Sequence, residues 1–203
     1  MDAATNNSTI NLVIALPAEA KPLIRSLNLQ RDQANRHMPV YLGNDIQLVI
    51  TGTGSAASAR GVHYIDSITK GSAVQWINLG ICGHGSLEVG TPLLVDRIID
   101  PQRNETWSLA TPQSMTEVVG PLTCVTEPEC EYADNMAYDM ESSGFADAVC
   151  EVDAIASATV FKIVSDNPAN ESRGISGKFV QSLVNRQLGL FQTLIKHYRQ
   201  MMS

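Results

Sequence analysis

Tyr138-Asp139-Met140-Glu141-Ser142-Ser143-Gly144-Phe145-Ala146-Asp147-Ala148-Val149-Cys150 is followed by a polar turn and then Ile155-Ala156-Ser157-Ala158-Thr159-Val160-Phe161-Lys162-Ile163-Val164-Ser165-Asp166. The first half places a carboxylate, Glu141, where a short apolar segment meets a helix. The second is an apolar strand that stops at another carboxylate, Asp166. Strand ends in α/β proteins face the crevice where ligands bind, so two acids delivered this way meet over one small molecule.

The rest of the chain supplies the walls. Ile10 to Leu16 is a near-continuous apolar run, which reads as a strand buried on both faces. Pro17 suits the first turn of the helix that follows, and Glu19 stands in that turn, where the helix dipole favours negative charge. His37–Leu42 and Ile46–Thr51 flank Gly43-Asn44-Asp45 as a hairpin. The second of these strands enters Gly52-Thr53-Gly54-Ser55-Ala56-Ala57, with a helix to about Thr69. That stretch approximates a dinucleotide fingerprint, but it is not on the first strand, and no acid ends a strand about 20 residues later. Its other readings are a tight turn that lets a small-residue helix pack on the sheet, or helix N-terminal N–H groups, Gly54 among them, that face a ligand oxygen.

Val74 to Leu79 reads as a buried strand, and Gly80-Ile81-Cys82-Gly83-His84-Gly85 as a glycine loop whose backbone comes close to a ligand. Cys82 and His84 have no further ligand cluster around them, so no metal is expected there. Pro92–Asp100 and Leu122–Val125 read as strands, within an otherwise polar stretch from Pro101 to Glu131. Asn167-Pro168-Ala169-Asn170-Glu171-Ser172 is a turn. A final helix runs from Gly177 to Arg199, with Phe179, Leu183, Leu190, Leu194 and Ile195 on one face. Strands that alternate with helices imply an α/β fold: three layers, α/β/α, with a central mixed sheet flanked by helices. There is no internal repeat, and residues 1–203 read as a single domain.

Composition narrows the function classes. A net charge of −7 argues against a nucleic-acid polymer as partner, because such binding needs several Lys or Arg to displace counterions. The hydrophobic fraction of 44% and charged fraction of 17% are those of a globular protein, and no apolar run approaches a membrane span. The polar opening Met1-Asp2-Ala3-Ala4-Thr5-Asn6-Asn7 lacks the pattern of a secretory signal, which points to the cytoplasm. Of the four cysteines, Cys82, Cys124, Cys130 and Cys150, none forms a Cys-x-x-Cys pair, so reduced thiols are expected.

Taken in order, these segments resemble the purine nucleoside phosphorylase and nucleosidase superfamily, particularly its methylthioadenosine/adenosylhomocysteine nucleosidase branch. The resemblance spans nearly the whole chain. Its anchors are Leu16-Pro17-Ala18-Glu19-Ala20, Gly52-Thr53-Gly54, Ile77-Asn78-Leu79-Gly80-Ile81-Cys82-Gly83, Val89-Gly90, Asp139-Met140-Glu141 and Val164-Ser165-Asp166. The Gly-Ile-Cys-Gly and Asp-Met-Glu-Ser sequences are also similar to futalosine hydrolases and hopanoid-associated phosphorylase-like proteins.

The resemblance implies a nucleoside phosphorylase-like fold, cleavage of an N-glycosidic bond in a small nucleoside, no cofactor, and a homodimer. It implies that Glu19 activates water, that Glu141 holds ribose hydroxyls with Met140 beside the sugar, and that Asp166, positioned by Ser165, serves the leaving base. Gly54, Gly80, Ile81, Cys82 and Gly83 are the remaining expected substrate contacts. The chemistry wants these residue types in its own right. The bond to the anomeric carbon breaks through an oxocarbenium-like state, which calls for an acid at the base, a base at water and a fixed sugar. Such an acid must keep its proton near neutral pH, so Asp166 is expected to be desolvated.

Phosphorylases of the superfamily hold phosphate with arginines and a serine near the glycine turns. Here those places carry Pro17-Ala18-Glu19 and Ile81, so water is the expected attacking group. A phosphorylase and a non-catalytic nucleoside-binding protein are the alternatives. The segment Thr123–Tyr132 is short for the family and offers no assigned aromatic partner for the base.

Overall fold

The computed structural model describes residues 8–34, 37–69, 73–112, 118–128, 131–133, 135–153, 158–170 and 175–201. The polar opening, Cys130 and Glu171-Ser172 lie outside these residues.

Strand β1 (Ser8–Ile14) is central because both its faces are greasy. Ile10, Leu12 and Ile14 point to one side and Val13 to the other, all at 0% exposure. It pairs in parallel with β4 (Ile46–Ile50) and β5 (Ala73–His84), with Val13 beside Val49 and Asn78. Strands β2 (Gln30–Arg31) and β3 (Val40–Leu42) extend that edge in antiparallel fashion, and Gly43 closes the β3–β4 hairpin by donating to the Ile46 carbonyl at 2.8 Å.

On its other side β5 enters a ring. It pairs in parallel with β10 (Ala158–Asp166), which runs antiparallel to β6 (Pro92–Asp100). Next, β6 pairs in parallel with β8 (Val118–Cys124), and β8 with β9 (Ala137–Asp139). Finally β9 returns antiparallel to the end of β5, through Gly83–Tyr138 and His84–Ala137. Strand β7 (Glu105–Ser108) hangs on β6. The mixed sheet expected from the sequence is present, and half of it curls into a closed barrel.

The two faces are covered by different helices. Against Ile10, Leu12, Leu48, Ile77 and Phe161 pack α1 (Pro17–Ser26), α4 (Gly177–Arg186) and α5 (Leu188–Met201), through Leu23, Leu183, Phe191 and Leu194. Against Val13, Val49, Trp76 and Val160 pack α2 (Ser55–Ile68) and α3 (Ser142–Val152), through Val62, Ile65, Phe145 and Val149. Each such side chain fully removed from water contributes about 1.5–3 kcal/mol of apolar burial. This is the α/β/α layering.

Three expectations need correction. The glycine segment Gly80–His84 is strand, the continuation of β5. The final helix is two, broken at Gln187, whose side chain turns away to donate to the Gly90 carbonyl at 2.9 Å. The polar stretch after Pro101 contains β7, and β8 begins at Val118 rather than Leu122.

Candidate active site

The parallel strands β1, β4, β5 and β10 end at the same edge of the sheet, so the segments leaving them meet there. A cavity of about 300 Å³ lies at that edge, lined by Glu19, Ile81, Cys82, Gly83, Met140, Glu141, Ser165 and Asp166, among others. Gly54 and Gly80 do not line it. Gly54 stands behind Glu141, and a Cβ at Gly80 would lie 3.2 Å from Glu19 Oε1 and 3.4 Å from Lys162 Nζ.

Glu19 arrives from the first turn of α1. Its Oε2 accepts the Leu16 N–H at 2.8 Å, the bond expected of an acid at the third helical position. Its Oε1 accepts the Ile81 N–H at 3.0 Å. That N–H lies past Asn78, where the pairing of β5 with β1 stops. Burial pushes the carboxyl up to about 7, against the pull of these two N–H groups and of Lys162. A carboxyl at that value is poised to take a proton from water near neutral pH.

Glu141 precedes α3, and its Oε1 accepts the Gly54 N–H at 2.8 Å. The N-terminus of α2, read in the sequence as facing a ligand oxygen, thus presents Gly54 to a side-chain carboxylate. Gly54 reaches this position with φ of +96°, the left-handed region open to glycine. Burial, and then the charge of Asp139, raise the Glu141 pKa.

Asp166 ends β10, just after a register shift between Val164 and Asp166 that re-aims the strand end. It is 6% exposed. Both of its oxygens meet hydroxyls: Ser165 Oγ donates to Oδ1 and the Tyr132 phenol donates to Oδ2. The Cys82 carbonyl, 3.1 Å from Ser165 Oγ, is the other acceptor within reach of that one hydroxyl proton.

Sequence reasoning missed the charged centre behind these acids. Lys162, 1% exposed, donates to Asn78 Oδ1 and pairs with Asp139 Oδ2, each at 2.7 Å. Burial alone would drive the ammonium toward its neutral form, but Asp139, Glu141 and Glu19 outweigh it and raise its pKa. Asp139 also accepts the Ser142 N–H at 3.1 Å, one of the free N–H groups at the start of α3. The signal was available: Lys in Ala158–Asp166, a strand buried at every position, is a charge that needs partners. Tyr132 had no such signal, since it sits in a polar stretch without periodicity.

Cys82 and His84 take supporting parts. Burial pushes the Cys82 thiol far up, which keeps it protonated and a poor nucleophile. His84 Nδ1 accepts the Ser86 and Leu87 N–H groups at 3.1 Å each, and burial lowers its pKa, so it anchors the turn as a neutral ring. Among the described residues no three of His, Cys, Asp and Glu are placed to hold a metal ion.

No protein-family model and no curated protein sequence matches the chain. Solved structures do. The 5'-methylthioadenosine nucleosidase of Arabidopsis thaliana is 17% identical with a TM-score of 0.79, over 94% of this chain and 95% of that one. The 5'-methylthioadenosine/S-adenosylhomocysteine nucleosidase of S. pneumoniae, solved with a transition-state inhibitor, is 16% identical with a TM-score of 0.74, over 90% and 96%. That of Helicobacter pylori is 12% identical with a TM-score of 0.75, over 94% and 98%. At these identities the likeness shows the fold, which is that of the methylthioadenosine/adenosylhomocysteine nucleosidases.

Proposed function

We propose that this chain is a nucleosidase that hydrolyses the N-glycosidic bond of a purine nucleoside. The observation that carries the reading is the convergence of Glu19, Glu141 and Asp166, from three separate elements, on one cavity. In the reaction the base leaves the anomeric carbon with the electrons of the broken bond, and Asp166 hands it a proton. Water adds to the oxocarbenium-like carbon while Glu19 takes a proton from it, and Glu141 holds the ribose hydroxyls with Met140 against the sugar. The Ile81, Cys82 and Gly83 backbone walls the cavity, and Ser165 orients Asp166.

Water is favoured over phosphate because the described lining residues include no Arg or Lys. The ammonium of Lys162 is engaged by Asp139 and Asn78. A phosphate would meet carboxylates without a cation to hold it. The neighbouring Helicobacter pylori structure with 5'-methylthioadenosine in its active site favours a purine nucleoside as the substrate class. The reading takes residues 1–203 as one domain, acting as a homodimer in the cytoplasm without a cofactor.

The test is a panel of nucleosides, methylthioadenosine, adenosylhomocysteine, adenosine, inosine and futalosine, incubated with and without phosphate while free base is followed by chromatography. Release without phosphate is expected. Release that depends on phosphate would make the protein a phosphorylase.

A further inference from the structure

Neither oxygen of Asp166 is left open to a base. Ser165 holds Oδ1, and Tyr132 holds Oδ2. Tyr132 comes from the segment between β8 and β9 and packs against Gly83 at the end of β5. A Cβ at Gly83 would stand 2.5 Å from its Cε1 and 3.2 Å from its Cζ, so glycine is what gives the ring its place. Tyr138 packs edge-on at 5.7 Å between ring centroids, and its hydroxyl accepts the Ala133 N–H at 3.1 Å, which pins the turn carrying Tyr132. Both tyrosines line the cavity.

A base that is to receive a proton from Asp166 must hydrogen-bond to it. Ser165 is 4% exposed and gives its single hydroxyl proton to Oδ1, so the oxygen open to exchange is Oδ2, and taking it means displacing the phenol. We propose that Tyr132 is a specificity-determining residue whose hydroxyl competes with the leaving base for Asp166 Oδ2. A nucleoside is then accepted only when its base replaces the bond it breaks. With Asp166 carrying the proton that its role as acid requires, an imidazole-type ring nitrogen, as in a purine, accepts from Oδ2 in place of the phenol contact; a uracil-type base, which has no such nitrogen, does not. This rests on the nucleosidase reading and names how that site chooses its substrate. A hydrogen bond to a carboxylate that must be broken before binding lowers affinity on the order of tenfold or more.

The experiment is calorimetric titration of wild type and Tyr132→Phe with formycin A, a C-nucleoside that resists hydrolysis, and with an iminoribitol that carries no base. The variant is expected to bind formycin A about tenfold more tightly, while the affinity for the iminoribitol stays unchanged. KM for a purine nucleoside falls in step. Equal or weaker formycin binding by the variant, in a protein where wild type binds it, overturns the competition and leaves the nucleosidase reading standing. Formycin binding to neither protein, with both melting as folded chains, removes that reading and the competition with it. Should Tyr132→Phe fold poorly, Tyr138→Phe, which drops the Ala133 anchor, is expected to tighten formycin binding too, and an unchanged affinity there counts against the proposal.

Discussion

Glu19 carries a structural and a chemical role on the same carboxyl: it completes the first turn of α1 through Leu16 and takes the Ile81 N–H at the cavity. Its proton is held more tightly in the folded chain than in the unfolded one, at about 7 against 4.5. The stability this contributes is therefore full below the unfolded value and is lost as pH rises to about 7, an effect of about 3 kcal/mol. Glu19→Gln is expected to flatten the change in urea-unfolding free energy between about pH 5 and about pH 8. An unchanged slope would mean that Glu19 does not titrate in that window. The same group, acting as base, makes kcat/KM rise with pH through about 7; a rate that falls across that range would deny Glu19 the role. Lys162 is a residue of another kind. Its ion pair with Asp139 is 1% exposed on both sides, so Lys162→Met leaves a buried carboxylate uncompensated and should cost about 3–5 kcal/mol in chemical denaturation. A loss under about 1 kcal/mol would show that Asp139 finds another donor. Glu19, Glu141 and Asp166 were legible because each stands at an element boundary in a recognisable motif. A lysine in the apolar strand of Lys162 signals a need for partners, but which partners Lys162 and Tyr132 find was not legible, because they lie 84 and 34 residues away in the chain.

At the scale of elements, the site depends on how closely α3 meets α2. A Cβ at Gly144 would collide with the Ser55 carbonyl oxygen and lie 2.5 Å from its carbon and 2.8 Å from its Cα. These are backbone atoms at the helix start and cannot swing aside. Gly144→Ala is expected to cost about 3 kcal/mol or more in thermal or urea unfolding. It also pushes Gly54 from Glu141, so nucleoside affinity falls with stability. A variant of wild-type stability would mean that the helices part without cost. The elements that could be read from the sequence are those whose side chains repeat by face. β1 shows its two buried faces in seven residues, and α2 its small apolar ones. The end of β5 could not be read, because its glycines look like a loop. They are strand residues that make room for neighbours: Gly80 for Glu19 and Lys162, Gly83 for Tyr132. The break at Gln187 falls two residues before Gly189, and its side chain bonds a carbonyl 97 residues away.

For the molecule as a whole, β5 belongs both to the open half of the sheet, through β1, and to the closed ring, through β10 and β9. One strand shared by both halves leaves neither able to unfold alone, so calorimetry should show a single transition with equal calorimetric and van't Hoff enthalpies. Two resolved transitions would divide the chain. The three layers could be inferred from the alternation of strands and helices, whereas the closure of the ring could not, since the β9–β5 and β10–β6 pairings leave no local trace. The same architecture brings three acids from distant segments to one cavity, and the account stands on their acting together. The measurement that tests it most directly is the rate of free-base release from a purine nucleoside in phosphate-free buffer, by wild type and by Glu19→Gln, Glu141→Gln and Asp166→Asn in parallel. Turnover by wild type, with a loss of about a hundredfold or more in each folded variant, is the predicted result. Release that survives all three substitutions, or a wild-type protein that releases no base from any member of the panel, would contradict it.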